Sequence, residues 1–313
     1  MSLEVKSIVK KYGEKIVVDN LSFEMKEPGV YALLGTNGAG KTTTIRIILG
    51  MLSYESGDVL WNGESLDTMK VNVGYLAEER GLYPKYTLMD QLLYFAKLKG
   101  VSKKDAEKRI EYWAARLKVE EYIYPSNTGS KKKVKPKTAD QLSKGNQQKI
   151  QLLAALISDP EIIVLDEPLS GLDPVNADLF KEIIKEEIEK NKYIIMSSHQ
   201  METIEAFCTD ITILNRGKAV LQGNLNEIKK SYGRVNMFVK CDTDIEEYIE
   251  KFDFVSVDRS ADGVCIRVKD ESQAMEFLAK LTENKVPVVK FELREPSLHE
   301  IFVEKVGNDN EEE

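Results

Sequence analysis

The sequence predicts an α/β core carrying a helical insertion, followed by a small α+β domain. Three observations lead there. The apolar run Val30-Tyr31-Ala32-Leu33-Leu34 leads straight into Gly35-Thr36-Asn37-Gly38-Ala39-Gly40-Lys41-Thr42-Thr43. From Glu161 onward, apolar strand-like runs alternate with amphipathic helical segments. Beyond Gly233 the segments follow the order β-α-β-β-α-β, the split βαβ or ferredoxin-like unit.

Taken in order, Ser2 to about Asp67 reads as strand-rich. Alternation over Leu3–Val9 and Leu21–Met25 marks two strands, and Lys41–Leu49 a helix. Ser56–Gly63 is a short strand entering a turn. Between Thr87 and about Leu156 apolar residues recur at helical spacing, as in Leu92-Leu93-Tyr94-Phe95-Ala96-Lys97-Leu98. Ile162–Leu165 is then a strand, Pro174–Lys190 a helix and Tyr193–Met196 another strand. In the C-terminal part the strands are Arg234–Cys241, Phe254–Asp258, Val264–Val268 and Val288–Leu293. The helices there are Asp244–Phe252, Ser272–Thr282 and Ser297–Val306. The tail 308–313 is acidic and expected to be disordered.

Composition narrows the function. The 313 residues carry 44 Lys and Arg against 52 Asp and Glu, a net charge of −8. That balance argues against non-specific nucleic-acid binding, which depends on neutralising phosphates. No apolar stretch approaches the ~20 residues that cross a bilayer, and the N-terminus lacks the apolar core of a signal peptide. Cys208, Cys241 and Cys265 form neither a C-x-x-C pair nor an even set. They read as small buried hydrophobes in a reducing cytoplasm.

The chemistry is concentrated in two runs. Gly35–Thr42 is G-x-x-x-x-G-K-[ST] between a strand and a helix, the context of a true P-loop. Its backbone N–H groups and the helix N-terminus converge on phosphate oxygens, Lys41 reaches the β- and γ-phosphates, and Thr42 can ligate Mg²⁺. The chain therefore reads as binding a nucleoside triphosphate. Ile162-Ile163-Val164-Leu165 ends in Asp166-Glu167, two carboxylates at a strand's C-terminal edge, where α/β sheets place ligands. Asp166 would hold Mg²⁺ as a Walker B residue, and Glu167 would act as general base on the attacking water.

Before that strand stands Leu142-Ser143-Lys144-Gly145-Asn146-Gln147-Gln148-Lys149. Here the sequence resembles the ATP-binding subunits of ABC transporters, whose signature is usually written LSGGQ. The resemblance covers about residues 2–230. It implies a P-loop ABC-type ATPase core over residues 1–230, with a helical subdomain at about 85–157 and an accessory α+β ferredoxin-like domain over 231–307. It also implies ATP and Mg²⁺ as cofactors and a second ATP-binding subunit, a copy or a paralogue, paired head to tail. Ser143, Gly145, Asn146 and Gln147 would then meet the nucleotide of the partner, and Asp173 would be the D-loop aspartate at the dimer interface. By the same resemblance Tyr12 stacks on adenine and His199 is the switch histidine, donating to the γ-phosphate and orienting water with Glu167. Lys144 and Asn146 depart from the signature's glycine and glutamine. Glu78 stands where the family usually has a glutamine that senses Mg²⁺. As a carboxylate it either binds the cation through its charge or pairs with Arg80.

With no span of its own, the chain implies a separate transmembrane permease and a cytoplasmic place on the inner face of the cell membrane. Gly74–Tyr83, Leu142–Gln148 and Glu295–Phe302 resemble export-type subunits, those labelled sodium or drug exporters among them. The alternative is a soluble ABC ATPase acting on ribosomes or DNA. One nucleotide unit, no cysteine pairs and no long heptad run weigh against it. The basic run Gly129–Lys137 reads as a solvated loop, with attraction to anionic lipid as the sharper alternative.

Overall fold

The hairpin at the N-terminus begins the fold: Leu3, Val5 and Ile8 alternate inward, and Gly13 turns the chain back. The structure, a computed structural model, describes residues 1–79, 81–124, 136–260 and 262–308. Arg80, most of the basic run (129–135) and the tail 309–313 lie outside the described residues. Contacts divide the chain into two units, Met1–Gln222 and Gly223–Glu313. The break falls before residue 230 because Asn224, at the end of the last strand of the first unit, already caps the next helix.

The first unit runs β1 (Leu3–Tyr12), β2 (Lys15–Met25), β3 (Gly29–Leu34), α1 (Lys41–Ile48), β4 (Ser56–Trp61), β5 (Glu64–Ser65) and β6 (Val73–Leu76). The helical insertion follows as α2 (Leu88–Leu98), α3 (Lys103–Leu117), α4 (Glu120–Ile123) and α5 (Lys144–Leu156). Then come β7 (Ile162–Asp166), α6 (Pro174–Glu189), β8 (Tyr193–Ser198), α7 (Met201–Glu205), β9 (Asp210–Asn215) and β10 (Lys218–Asn224). One sheet has the order β2-β1-β4-β5, with antiparallel pairings, and the other the order β10-β9-β3-β8-β7-β6. In the latter β9, β3, β8, β7 and β6 pair in parallel. Every residue of β3, β7 and β8 is buried, which is why they read as unbroken apolar runs rather than alternating ones. Leu3, Phe23, Tyr31, Ile45, Trp61 and Ile195 share one core, which joins the two sheets and α1. The sequence reading began the second strand at Leu21. It starts at Lys15, because Lys15 pairs with Tyr12 across the hairpin.

The second unit holds α8 (Leu225–Tyr232), β11 (Asn236–Cys241), α9 (Glu246–Ile249), β12 (Ser256–Ser260), β13 (Gly263–Arg267), α10 (Glu271–Glu283), β14 (Val288–Arg294) and α11 (Leu298–Asn308). Its antiparallel sheet has the order β12-β13-β11-β14, the ferredoxin-like order. The helix expected over Asp244–Phe252 is only the four residues of α9. The chain then turns so that Phe252 and Phe254 stack on each other at 5.4 Å, both edge-on to Phe277 of α10. The cysteines also depart from expectation. Cys208 and Cys241 are half-buried and Cys265 is exposed, since it alternates along β13 with the core residue Ile266. Among the described residues no helix is long and apolar enough to cross a membrane.

Candidate functional site

The site forms where β3, β7 and β8 end together. Gly35 closes β3 at φ +150°, where a Cβ would stand 2.4 Å from the Leu214 carbonyl oxygen of β9, so only glycine lets the loop leave the sheet there. The loop ends at Gly40, which precedes α1 and offers no side-chain cap, so the first N–H groups of the helix face outward. Lys41, 6% exposed, donates to the carbonyls of Gly35 at 2.8 Å and Thr36 at 3.2 Å. Its Nζ also lies 3.4 Å from Glu167 Oε1. Ala39 is buried, its carbonyl accepting from the Gly217 N–H. A cleft of about 330 Å³ opens here, lined by Asn37, Gly38, Gly40 and Lys41–Thr43, with Val17, Glu78 and Glu167.

β7 delivers Asp166 and Glu167 to this cleft, both almost fully buried. Thr42 Oγ1 donates to Asp166 Oδ1 at 3.2 Å, and Ser197 Oγ donates to the same oxygen at 2.5 Å. Ser197 also accepts from the Glu167 N–H at 2.9 Å. Asp166 Oδ2 and Glu167 Oε1 are buried without a hydrogen-bond partner. Burial pushes the Asp166 carboxyl above its ordinary range, the bonds from Ser197 and Thr42 opposing it. Burial and then the neighbouring Asp166 and Glu167 raise Glu78 as well. Unpartnered buried carboxylate oxygens are costly unless a cation or donor meets them. Among the described residues no group of three or more His, Cys, Asp or Glu side chains could hold a metal. A cation here would therefore depend on Thr42, Asp166 and phosphate oxygens together.

His199, partly exposed after β8, places Nδ1 2.8 Å from Glu167 Oε2. Which of the two atoms donates depends on the His199 tautomer. Glu167 itself has φ +49°, a left-handed backbone costing about 1–2 kcal/mol, which the surrounding bonds must hold.

The remaining sequence-selected residues stand apart from this cleft. Ser143 caps α5, accepting from the Asn146 N–H at 3.3 Å. Asn146 Nδ2 donates to Tyr122 at 3.1 Å and Gln147 Nε2 to the Leu142 carbonyl at 3.1 Å, so both amides are engaged within the helical insertion. Gly145 differs from Gly35: a Cβ there would meet only Leu172 and Asn176, at 3.5 Å and 4.0 Å, so this chain's own packing does not demand glycine. Asp173 caps α6, and its bond from the Asn176 N–H holds its carboxyl below the ordinary range. Tyr12, at the end of β1, is exposed and outside the cleft lining, its ring 5.3 Å from Lys10 Nζ. Sequence reasoning gave no role to Ser197. Its only signal was its place at the end of an apolar strand, and the parallel pairing of Asp166 with Ser197 makes it a partner of the Asp166 carboxylate and of the Glu167 amide.

Residues 18–170 match the family described as ABC transporter, and residues 223–306 match the C-terminal domain of DrrA1-3-like ATP-binding proteins. The chain is 43% identical to the uncharacterized ABC transporter ATP-binding protein YhaQ of Bacillus subtilis (strain 168), over 97% of this chain and 98% of that one. It belongs to the ABC transporter ATP-binding family. Bacitracin transport ATP-binding protein BcrA of Bacillus licheniformis is 30% identical over 97% of each chain. Among solved structures, an ATP-binding subunit of an ABC transporter superposes with a TM-score of 0.66 at 28% identity, covering 74% of this chain and 93% of that one. As a member of this family the chain is an ATPase and an ABC transporter ATP-binding subunit.

Proposed function

We propose that the chain powers export through a separate membrane permease, by closing head to tail on a second ATP-binding subunit. Each ATP would lie between the P-loop of one subunit and Ser143 and Gly145 of the other. The observation that carries this reading is the chemistry left unmatched in the cleft. Lys41 is held by loop carbonyls and lies 3.4 Å from Glu167 Oε1, while among the described residues Asp166 Oδ2 is buried with neither a hydrogen bond nor a cation against it. A triphosphate with Mg²⁺ meets both needs. Thr42 and Asp166 would hold the cation, and Glu78 adds negative potential beside it. When bound, Mg²⁺ neutralises charge developing on the β- and γ-phosphates.

Within this chain Lys41 and the α1 N-terminus bind the phosphates, and Glu167 takes the proton of the attacking water. His199 donates to the γ-phosphate and orients the water together with Glu167, and Tyr12 stacks on the adenine. Gly145 supports the pairing, because an unencumbered glycine at a capped helix start lets a partner's phosphate approach the backbone. Exposed Tyr83, Tyr86 and Tyr94, which line a cleft of about 400 Å³, suit an apolar cytoplasmic segment of the permease. That docking would place the subunit on the inner face of the membrane. Relatives named for bacitracin transport and Nod factor export favour export over import.

The test is purification of the Glu167→Gln full-length chain from detergent-solubilised membranes, with ATP and Mg²⁺. A nucleotide-bound dimer together with a multi-span membrane protein is expected. Recovery with ribosomes or DNA, or a chain that stays monomeric with ATP bound, overturns the reading.

A further inference from the structure

Gln148 lies one turn into α5, the helix that begins at Ser143, and is 6% exposed. Its side chain reaches from the helical insertion to the junction after β7. Nε2 donates to the Pro168 carbonyl at 2.9 Å and lies 3.4 Å from the Glu167 carbonyl. Two acceptors at that end identify it as the NH₂ group. Oε1 is buried with no partner, a cost that an apolar residue of the same size would avoid.

On the other side of the same residue, Ser197 Oγ accepts from the Glu167 N–H. Between these two grips Glu167 holds φ +49° and precedes a proline, a backbone that costs an L-residue about 1–2 kcal/mol. The peptide groups flanking Glu167 are thus held from two elements, β8 on the amide side and α5 on the carbonyl side. With both in place the carboxylate lies 2.8 Å from His199 Nδ1 and 3.4 Å from Lys41 Nζ.

We propose that Gln148 is a positioning residue for hydrolysis, fixing the direction of the Glu167 carboxylate through the Glu167 and Pro168 carbonyls. It also makes that direction depend on α5, the helix whose N-terminus meets the neighbouring subunit's nucleotide. This rests on the reading of Glu167 as the base. A shift of α5 on closure reaches Glu167 through one side chain, so occupation of one ATP site sets the alignment of the base in the other.

The test is Gln148→Met, close in size and without a donor, in the full-length chain. Rates are taken per titrated nucleotide-binding site, so a partly misfolded preparation does not imitate the effect. The expected result is a fall in kcat of about 10- to 100-fold with unchanged KM for ATP. Adding Gln148→Met to Glu167→Gln is expected to cause no further loss, because Gln148 acts through the group already removed. A wild-type kcat for Gln148→Met, or a full additional loss in the double variant, overturns the proposal. So does a KM that rises in step with the fall in kcat. If Glu167→Gln alone turns over at the wild-type rate, the base assignment fails and this inference with it. If Glu167→Gln is slow while Gln148→Met is normal, only the role of Gln148 falls.

Discussion

Glu167, just past the end of β7, and Glu300, in the first turn of α11, are both glutamates, and their surroundings are opposite. Glu300 accepts from the Ser297 N–H and Oγ, each at 2.7 Å, and from Asn236 Nδ2 at 2.7 and 2.9 Å. Glu167 is buried with no hydrogen bond on Oε1, only the Lys41 ammonium 3.4 Å away, and its neighbour Asp166 keeps a bare oxygen. The same contrast runs through the sheets of the two units. The parallel strands β3, β7 and β8 are buried along their whole length and bring unsatisfied groups together at their C-terminal ends. In the antiparallel sheet of the second unit, Met237 and Val239 of β11 are buried while Phe238 and Lys240 between and beyond them are more open. The lesson is how to sort motifs. Glu295–Phe302 supported the exporter resemblance, yet Ser297 and Glu300 form a reciprocal capping box clasped to β11. A satisfied carboxylate holds the fold, and a bare buried one is there for a ligand.

Substitutions at these two places should separate accordingly. The largest effect is expected from Lys41→Ala, which removes the cation proposed to meet the phosphates. Its kcat/KM for ATP should fall by about 10³-fold or more, and wild-type turnover would refute the phosphate assignment. Glu167→Gln should retain ATP affinity in equilibrium binding while kcat drops roughly 10²–10⁴-fold; undiminished turnover would remove Glu167 as the base. Ser197→Ala takes one bond from Asp166 and one from Glu167, so kcat should fall about 10-fold, an amount matching one lost hydrogen bond.

Glu300→Gln is expected to do least to turnover and to act instead on the second unit, lowering its stability by about 1 kcal/mol in chemical denaturation. It also sharpens the contrast through pH. Burial pushes the Glu300 carboxyl up, but the bonds from Ser297 and Asn236 more than reverse this and leave it below its ordinary value. A depressed carboxylate contributes stability that is present above its unfolded pKa, about 4.3, and is lost as pH falls through the folded value. Circular dichroism melts of the wild type should therefore weaken below about pH 4, and Glu300→Gln should flatten that slope. An unchanged slope would show that Glu300 is not the group responsible.

Several features were legible because they are local. A glycine-rich loop between an apolar run and a helix, two acids at a strand end and a Ser at a helix start each declare themselves within a few residues. The βαββαβ order was readable for the same reason, since each segment carries its own period. The length of α9 was not, because the chain after it turns so that Phe252 and Phe254 pack on Phe277, more than twenty residues further on.

The amino-acid order by itself therefore determined the kind of chemistry: phosphate-binding backbone, a lysine and paired acids in one chain. Only the folded chain decided which side chains complete that site. The parallel register sets Ser197 beside Asp166, and α5 swings Gln148 onto the backbone after Glu167. Those contacts join residues 19 to 31 positions apart, and no local pattern encodes them, because a hydroxyl or an amide becomes specific only when the strands and helices around it are placed.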